Sequence, residues 1–110
     1  MAYSVKASPT AESDISSAYS YLAERAPEAA TRWLRLMRTV AASLKEMPGR
    51  CPIAPETTGM GVEFRHLLFG RYRIIFKILE EEKIVYIVTV RHGARRKLTD
   101  EGIAQLLKLP

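Results

Sequence analysis

The residues best suited to chemistry in this chain of 110 residues are basic ones toward its C-terminal end. Between Val62 and Lys97, nine basic residues stand against four acidic ones, whereas the rest of the chain has eight of each and is neutral. Most of the nine are arginines, whose planar guanidinium groups can hold a carboxylate or a phosphate through two parallel hydrogen bonds. The net charge of +5 therefore falls on one block and indicates an anionic partner, without saying which one.

Alternation in the predicted strand Tyr72–Leu79 should place some of these side chains together. Arg73 and Lys77 alternate with a more consistently apolar set, which we expect to pack on helices, so the two basic residues should lie on the open face of a sheet. We expect Arg65 from the preceding strand and Arg91 from the end of the last strand to converge with Arg73. Such a face would suit a phosphodiester, because arginines hold the phosphate and stabilise developing charge. The apolar set is Tyr72, Ile74, Phe76 and Ile78.

A histidine and two further arginines follow where the last strand runs out. His92 could exchange protons near neutral pH, and Arg95 and Arg96 extend the basic segment. The structural alternative is that the arginines form an ordinary solvated face and that His92 bonds a backbone carbonyl. For each residue alone that alternative is favoured, but as a group the arginine excess is larger than a solvated face usually shows.

Other kinds of site are not indicated. Cys51 is the only cysteine, and although Arg50 beside it could favour a thiolate, an inert half-buried thiol fits better because no cysteine and histidine pattern accompanies it. His66 and His92 stand alone without metal-ligand spacing, so no metal or cofactor is expected. No apolar run approaches the roughly 18–20 residues of a membrane span, and the N-terminus has no secretory signal. A cytoplasmic protein that does not enter membranes is expected.

The elements that must position these residues predict one α+β domain over residues 1–110. A first strand should be followed by an antiparallel helix hairpin, a loop rich in proline and glycine, and a three-stranded antiparallel meander packed on the hairpin. A short C-terminal helix carrying Ile103, Leu106 and Leu107 could begin at Thr99. The predicted bounds are strand Ala2–Ala7, helices from Pro9 to about Arg25 and from Pro27 to about Met47, loop Pro48–Gly61, and strands Val62–Phe69, Tyr72–Leu79 and Ile84–Arg91.

Three arginines of the second helix lie off its apolar stripe. Arg32, Arg35 and Arg38 are interpreted as a solvated face, with contact to an acidic partner as the alternative.

The C-terminal half of the sequence resembles the RelE/ParE superfamily of toxins. The matching pieces are Val62–Leu67, the turn and strand Gly70–Phe76, and the ending Ile87–Arg96, while the order of strand and helix hairpin before them agrees with the same superfamily. The resemblance implies the toxin of a bacterial type II toxin–antitoxin pair, with a cognate antitoxin that wraps and neutralises it in a hetero-oligomer. Type II antitoxins usually contribute an acidic, partly disordered segment, which an arginine-rich surface would attract.

The superfamily divides by mechanism, and the resemblance implies residues for each branch. RelE-like members cut mRNA on the ribosome, in which case Arg65, Arg73 and Arg91 would hold phosphate and His92 or Glu56 would move protons. ParE-like members poison DNA gyrase without nuclease residues, and then Arg71, Lys77, Arg95 and Arg96 would contact the target or the antitoxin. The ending Arg91–Arg96 has no tyrosine or other aromatic residue after it, which is closer to the ParE-like branch. A family member that binds only its antitoxin is a third possibility.

Overall fold

The chain begins with a short edge strand and a capped helix. In the computed structural model, which describes residues 2–57 and 61–93, strand β1 spans Ser4–Ala7 and helix α1 spans Pro9–Arg25. The hydroxyl oxygen of Ser8 accepts a hydrogen bond from the Ala11 amide at 3.0 Å, and so caps the helix. Pro9 takes the first helical position, where its missing N–H leaves no bond unmade. The predicted bounds of α1 are confirmed.

Helix α2 spans Pro27–Ala42 and follows α1 after a single residue. Ala26 separates the two because the residue before a proline is pushed out of the helical region, and its φ is −153°. The prediction that this helix continues to Met47 is wrong. It ends at Ala42 and tightens into one 3₁₀ turn at Ser43–Lys45, and Met47 has a φ of 47°, which a right-handed helix does not contain.

Within residues 2–57 and 61–93 the sheet has four strands, in the spatial order β1-β4-β3-β2. Strands β2 (Arg65–Phe69), β3 (Tyr72–Leu79) and β4 (Ile84–His92) form the predicted antiparallel meander, and β1 joins its edge parallel to β4. Only Gly70 and Arg71 connect β2 to β3, and Gly70 takes a φ of 57° that glycine adopts without steric cost. The α+β class is confirmed. The predicted C-terminal helix lies outside the described residues.

One side of the sheet, which we call the helix face, packs on the helix hairpin. The alternation predicted for β3 is confirmed there, since Ile74 and Phe76 are fully buried and Tyr72 and Ile78 pack against the same core. Strand β4 also contributes apolar side chains to this core, as expected of a strand that lies between two others in the sheet. The buried members of this core are Ala11, Met37, Leu44, Cys51, Ile74, Phe76, Val85, Ile87 and Val90.

The opposite side, which we call the outer face, carries a second, smaller core. Ile75 and Val88 pack there against Ala54 and Phe64, all of them nearly inaccessible to solvent. The segment before β2 reaches this face because the Ala54 amide donates to the Phe64 carbonyl at 2.8 Å. The expectation of a wholly open sheet face is therefore wrong, because the loop covers the middle of it.

A β-bulge in β4 joins the sheet to α1. Ile75 pairs with Thr89 while Phe76 pairs with Ile87, which leaves Val88 as the extra residue. At the bulge the Thr89 hydroxyl, at 2.5 Å, and the Val90 amide, at 3.0 Å, both donate to Oδ2 of Asp14 on α1. One carboxylate oxygen thus satisfies a backbone donor that the bulge removes from the ladder.

No helix among residues 2–57 and 61–93 is long and apolar enough to cross a membrane.

Replacing Asp14 with alanine should weaken the fold. The Val90 amide and the Thr89 hydroxyl would lose their acceptor, and a loss of about 1–3 kcal/mol in the free energy of unfolding is expected. Urea titration followed by circular dichroism measures it. Ser13→Ala, one position away on the exposed side of α1, is the matched control and should change stability by less than about 0.5 kcal/mol. Equal, small effects of both substitutions would show that Asp14 does not hold the bulge.

Candidate functional site

The most strongly charged contact of the outer face is an ion pair between Glu56 and Arg73. Nη1 and Nη2 of Arg73 donate to the two carboxylate oxygens of Glu56, at 3.2 and 2.5 Å. The Glu56 side chain is 1% exposed and that of Arg73 15%, so the pair is largely removed from water. Two parallel hydrogen bonds are the strong geometry for an arginine with a carboxylate, and they leave this guanidinium already engaged.

His66 completes this cluster, which we call the Arg73 cluster (Glu56, His66 and Arg73). Its Nδ1 lies 2.9 Å from Nη1 of Arg73. A guanidinium has only donors, so Nδ1 must accept the bond and the imidazole is neutral, with its proton on Nε2. From the sequence, His66 was expected to stand alone. The register of β2 and β3 brings the side chains of His66 and Arg73 together, because His66 pairs with Ile75 and Leu68 pairs with Arg73.

The backbone around Glu56 is held in place by its own loop. Glu56 lies in a single 3₁₀ turn, Pro55–Thr57, that follows directly after Ala54 of the outer core. The Thr57 hydroxyl accepts from the Phe64 amide at 2.8 Å and donates to the Phe64 carbonyl at 2.9 Å. This exchange closes the loop at the start of β2, and it fixes the position from which Glu56 reaches Arg73.

The surroundings of His66 favour its neutral form. Burial lowers the pKa of the imidazole below its ordinary value, and the neighbouring Arg73 cation lowers it further. The Glu56 carboxylate opposes both by stabilising the protonated ring, but it does not outweigh them. At neutral pH the cluster therefore holds a carboxylate, a guanidinium and a neutral imidazole.

Arg65 does not converge with Arg73, and that prediction is wrong. Arg65 pairs with Phe76, a residue of the helix-face core, so its side chain lies on the opposite side of the sheet. There Nη1 donates to the carbonyls of Gly49 and Cys51, at 3.2 and 2.5 Å. Its Nη2 is 2.9 Å from a carboxylate oxygen of Glu63. Arg65 is thus engaged in holding the loop before β2.

His92 also lies on the helix face. It pairs with Tyr72, and the two rings meet edge to face with centroids 5.3 Å apart. The expected combination of His92 with the arginines of the outer face is therefore wrong. Arg91, by contrast, pairs with Arg73 across β3 and β4, so these two arginines share the outer face as predicted.

Two of the remaining basic candidates, Arg71 and Lys77, lie among the described residues. Arg71 is exposed in the turn between β2 and β3, and Lys77 lies on the outer face with its ammonium 5.7 Å from the Tyr86 ring centre. Arg95 and Arg96 lie outside the described residues. Arg71 and Arg73 line one shallow pocket beside the turn between β2 and β3.

Cys51, expected to be half-buried, is buried. It is buried in the helix-face core, and burial raises the pKa of the thiol despite opposing effects of Arg50 and Arg65. A thiol that keeps its proton is a weak nucleophile. Among residues 2–57 and 61–93 no group of histidine, cysteine, aspartate or glutamate side chains could hold a metal ion.

An apolar groove of about 720 Å³ opens on the helix face, at the end of the sheet where β2 turns into β3. No local sequence pattern marks this groove, because its wall combines residues of both helices and three strands. Trp33 of α2 forms part of that wall and packs against Phe69 and Tyr72, with ring centres 6.2 and 5.3 Å away. Leu22, Val90 and His92 are further members of the wall.

The family model of the ParE toxin of type II toxin–antitoxin systems, parDE, matches residues 5–97. The chain belongs to this toxin family. The recognition of the RelE/ParE superfamily from the C-terminal motifs is thereby confirmed, and the match extends over both helices and all four strands of this ParE-family chain.

Solved structures similar to this ParE-family chain come from RelE toxins. The toxin–antitoxin complex RelBE2 of Mycobacterium tuberculosis contains a chain that is 26% identical, with a TM-score of 0.60, over 86% of this chain and 95% of that one. The archaeal RelE–RelB complex of Pyrococcus horikoshii gives 21% identity and a TM-score of 0.54, over 87% and 100% of the two chains. A mutant of the E. coli toxin RelE in the free state is 14% identical, with a TM-score of 0.53, over 98% of this chain and 97% of that one. The last two show the fold alone. No curated protein sequence matches the chain.

The Glu56–Arg73 pair should be strongly coupled energetically in this ParE-family fold. Glu56→Leu or Arg73→Leu alone breaks a buried bidentate ion pair and should cost about 3–5 kcal/mol of unfolding free energy, whereas the double variant should cost much less than the two together. Denaturant titration of the four proteins gives the coupling. Glu63→Leu is the control, because its carboxylate is 55% exposed, and it should cost below about 1 kcal/mol. Additive effects of Glu56 and Arg73 would contradict the coupling.

The titration of His66 should report the charges around it. We expect its NMR midpoint to lie below the ordinary value of about 6.5, and to fall further in Glu56→Gln, because that carboxylate alone stabilises the imidazolium.

The lowered pKa of His66 also makes the free energy of unfolding depend on pH. Below about pH 6.5 the unfolded chain takes up a proton that the folded chain still refuses, so stability falls as the pH drops through that range, and His66→Gln should flatten the decline. A midpoint that rises in Glu56→Gln would contradict the assigned arrangement.

Proposed function

We propose that this chain is a toxin that inhibits DNA gyrase by binding, and that a cognate antitoxin neutralises it in a cytoplasmic hetero-oligomer. The observation that supports gyrase over RNA is the state of the arginines. Arg73 is engaged by a buried carboxylate, and Arg65 bonds the loop on the other side of the sheet. An RNA nuclease of this fold would need such arginines available to a phosphate.

A phosphate would compete with Glu56 for the guanidinium of Arg73. A phosphate arriving at Arg73 would have to displace a bidentate carboxylate that is 1% exposed, and would remove both of these hydrogen bonds from a buried charge. Oxyanion stabilisation needs donors preorganised toward the place where charge develops, and here both terminal nitrogens of Arg73 are oriented toward Glu56. The arrangement favours a structural role for this arginine.

The second candidate is a RelE-like ribonuclease that cuts mRNA on the ribosome, and one observation favours it. Arg73 and Arg91 are direct neighbours on the outer face, and the Arg73 cluster adds a carboxylate and a neutral imidazole beside them. A neutral histidine can accept a proton, and a carboxylate can orient it or act as a base. In this alternative the acid–base pair would be His66 and Glu56, with no part for His92.

The antitoxin partner is supported by the family and by complementarity. The net charge of +5 would attract an acidic segment, and the groove beside Trp33 would accept apolar side chains from it. Solved RelE relatives are described as complexes with RelB antitoxins. A segment that folds on binding gains affinity by burying such anchors against its ordering entropy.

Two assays on the purified toxin separate the candidates. We expect it to stop gyrase from supercoiling relaxed plasmid and to leave ribosome-bound mRNA intact. Codon-specific cleavage of that mRNA, lost in the nearly isosteric His66→Gln variant, would instead support the ribonuclease. Inactivity in both assays, together with normal growth of cells expressing the toxin without antitoxin, would reject both and leave a chain that only binds its antitoxin.

A further inference from the structure

The exposed side of α2 carries three arginines, which we call the α2 arginine face (Arg32, Arg35 and Arg38). All three residues are exposed. No carboxylate among residues 2–57 and 61–93 forms an ion pair with any of them, although Arg25, Arg65, Arg73 and Lys83 do have such partners. Three exposed arginines without an ion-pair partner among the described residues thus lie on one helix, outside the arginine-rich C-terminal block.

The spacing of the three arginines arranges them as a fan. Successive members are three residues apart, which corresponds to a rise of about 4.5 Å and a rotation of about 60° around the helix. Arg35 therefore lies at the centre, with Arg32 and Arg38 about 60° to either side. A helix with this fan can reach anionic groups on both sides of its axis at once.

The face lacks the anchors that a protein partner would need. Leu36 is the one large apolar side chain of α2 that is exposed, at 54%, because the apolar stripe of the helix is taken up by the core. Protein interfaces draw their affinity from a buried apolar or aromatic centre. Charge alone, with one peripheral leucine, fits poorly with a folded acidic protein.

Single-stranded nucleic acid fits poorly as well. Its binding proteins stack bases on exposed aromatic side chains. The only aromatic residue of α2 is Trp33, which packs against Phe69 and Tyr72 on the far side of the helix from the arginines. What remains is a partner recognised through regularly spaced anionic groups and little else.

We propose that the α2 arginine face binds the phosphate backbone of duplex DNA. A B-DNA major groove about 12 Å wide admits a helix and has phosphates along both walls, which matches arginines directed to either side of one axis. Contacts of this kind position a protein on DNA without reading its sequence. The surface lies apart from the Arg73 cluster, and it goes beyond the proposed function, so the DNA measurement stands whatever the gyrase assay gives.

The test measures binding of the purified toxin to a fluorescein-labelled duplex of about 20 base pairs by anisotropy, across salt concentrations from about 50 to about 200 mM. Neutralising three phosphate contacts should contribute about 2.7 to the slope of log Kd against log salt. The variant Arg32→Gln/Arg35→Gln/Arg38→Gln should lose that part of the slope, and its affinity at the lowest salt should drop by more than tenfold.

A matched variant separates location from net charge. Lys6→Gln/Arg25→Gln/Lys45→Gln also removes three positive charges, but at other exposed positions. This variant should keep most of the salt slope and of the affinity. Equal weakening by both triple variants would overturn the proposal, because binding would then follow net charge alone. So would unchanged binding of the α2 variant, or tighter binding of the toxin to a poly-glutamate peptide than to the duplex. Circular dichroism melting of each variant confirms that it is folded.

Discussion

The ion pair between Glu56 and Arg73 joins the loop before β2 to the outer face of the sheet. A carboxylate that is 1% exposed is stable only if its charge is matched, because desolvating an isolated ion costs several kcal/mol. Arg73 supplies the match from the second strand of the meander, 17 residues along the chain. The partnership holds the loop against the outer face, and with it Ala54 and Phe64, which cover Ile75 and Val88. The same bond that builds the second core thus withdraws the arginine from solution.

Much of the fold could be predicted because its signals are local. Ser8 followed by Pro9 marks the start of α1, Pro27 separates the helices, and strict alternation in Tyr72–Leu79 identifies the side of β3 that the helices cover. The end of α2 could not be placed from the same evidence. Apolar spacing continues through Leu44, but the backbone tightens at Ser43, and Leu44 reaches the core from a 3₁₀ turn.

The candidate site was harder to predict because it depends on register between strands. A shift of one residue moves every side chain to the other face, and the run His66–Phe69 has too little alternation to show which residues face the helices. Arg65 was therefore grouped with Arg73, although it pairs with Phe76, while His66, which does contact Arg73, was set aside as isolated. His92 was misplaced for the same reason. Arg91 was placed correctly. It lies within β4, where it pairs with Arg73 on the outer face.

Charge counted along a sequence differs from charge available on a surface. The excess of arginines between Val62 and Lys97 indicated where an anionic partner would bind, yet Arg65 and Arg73 are both matched by carboxylates, one of them from outside that block. The reverse holds for α2. This helix belongs to the part of the chain in which acidic and basic residues are equal in number, but its arginines have no acidic neighbour within ion-pair distance among the described residues. An arginine already held by a carboxylate contributes structure. An exposed arginine without such a carboxylate can still attract an anionic partner.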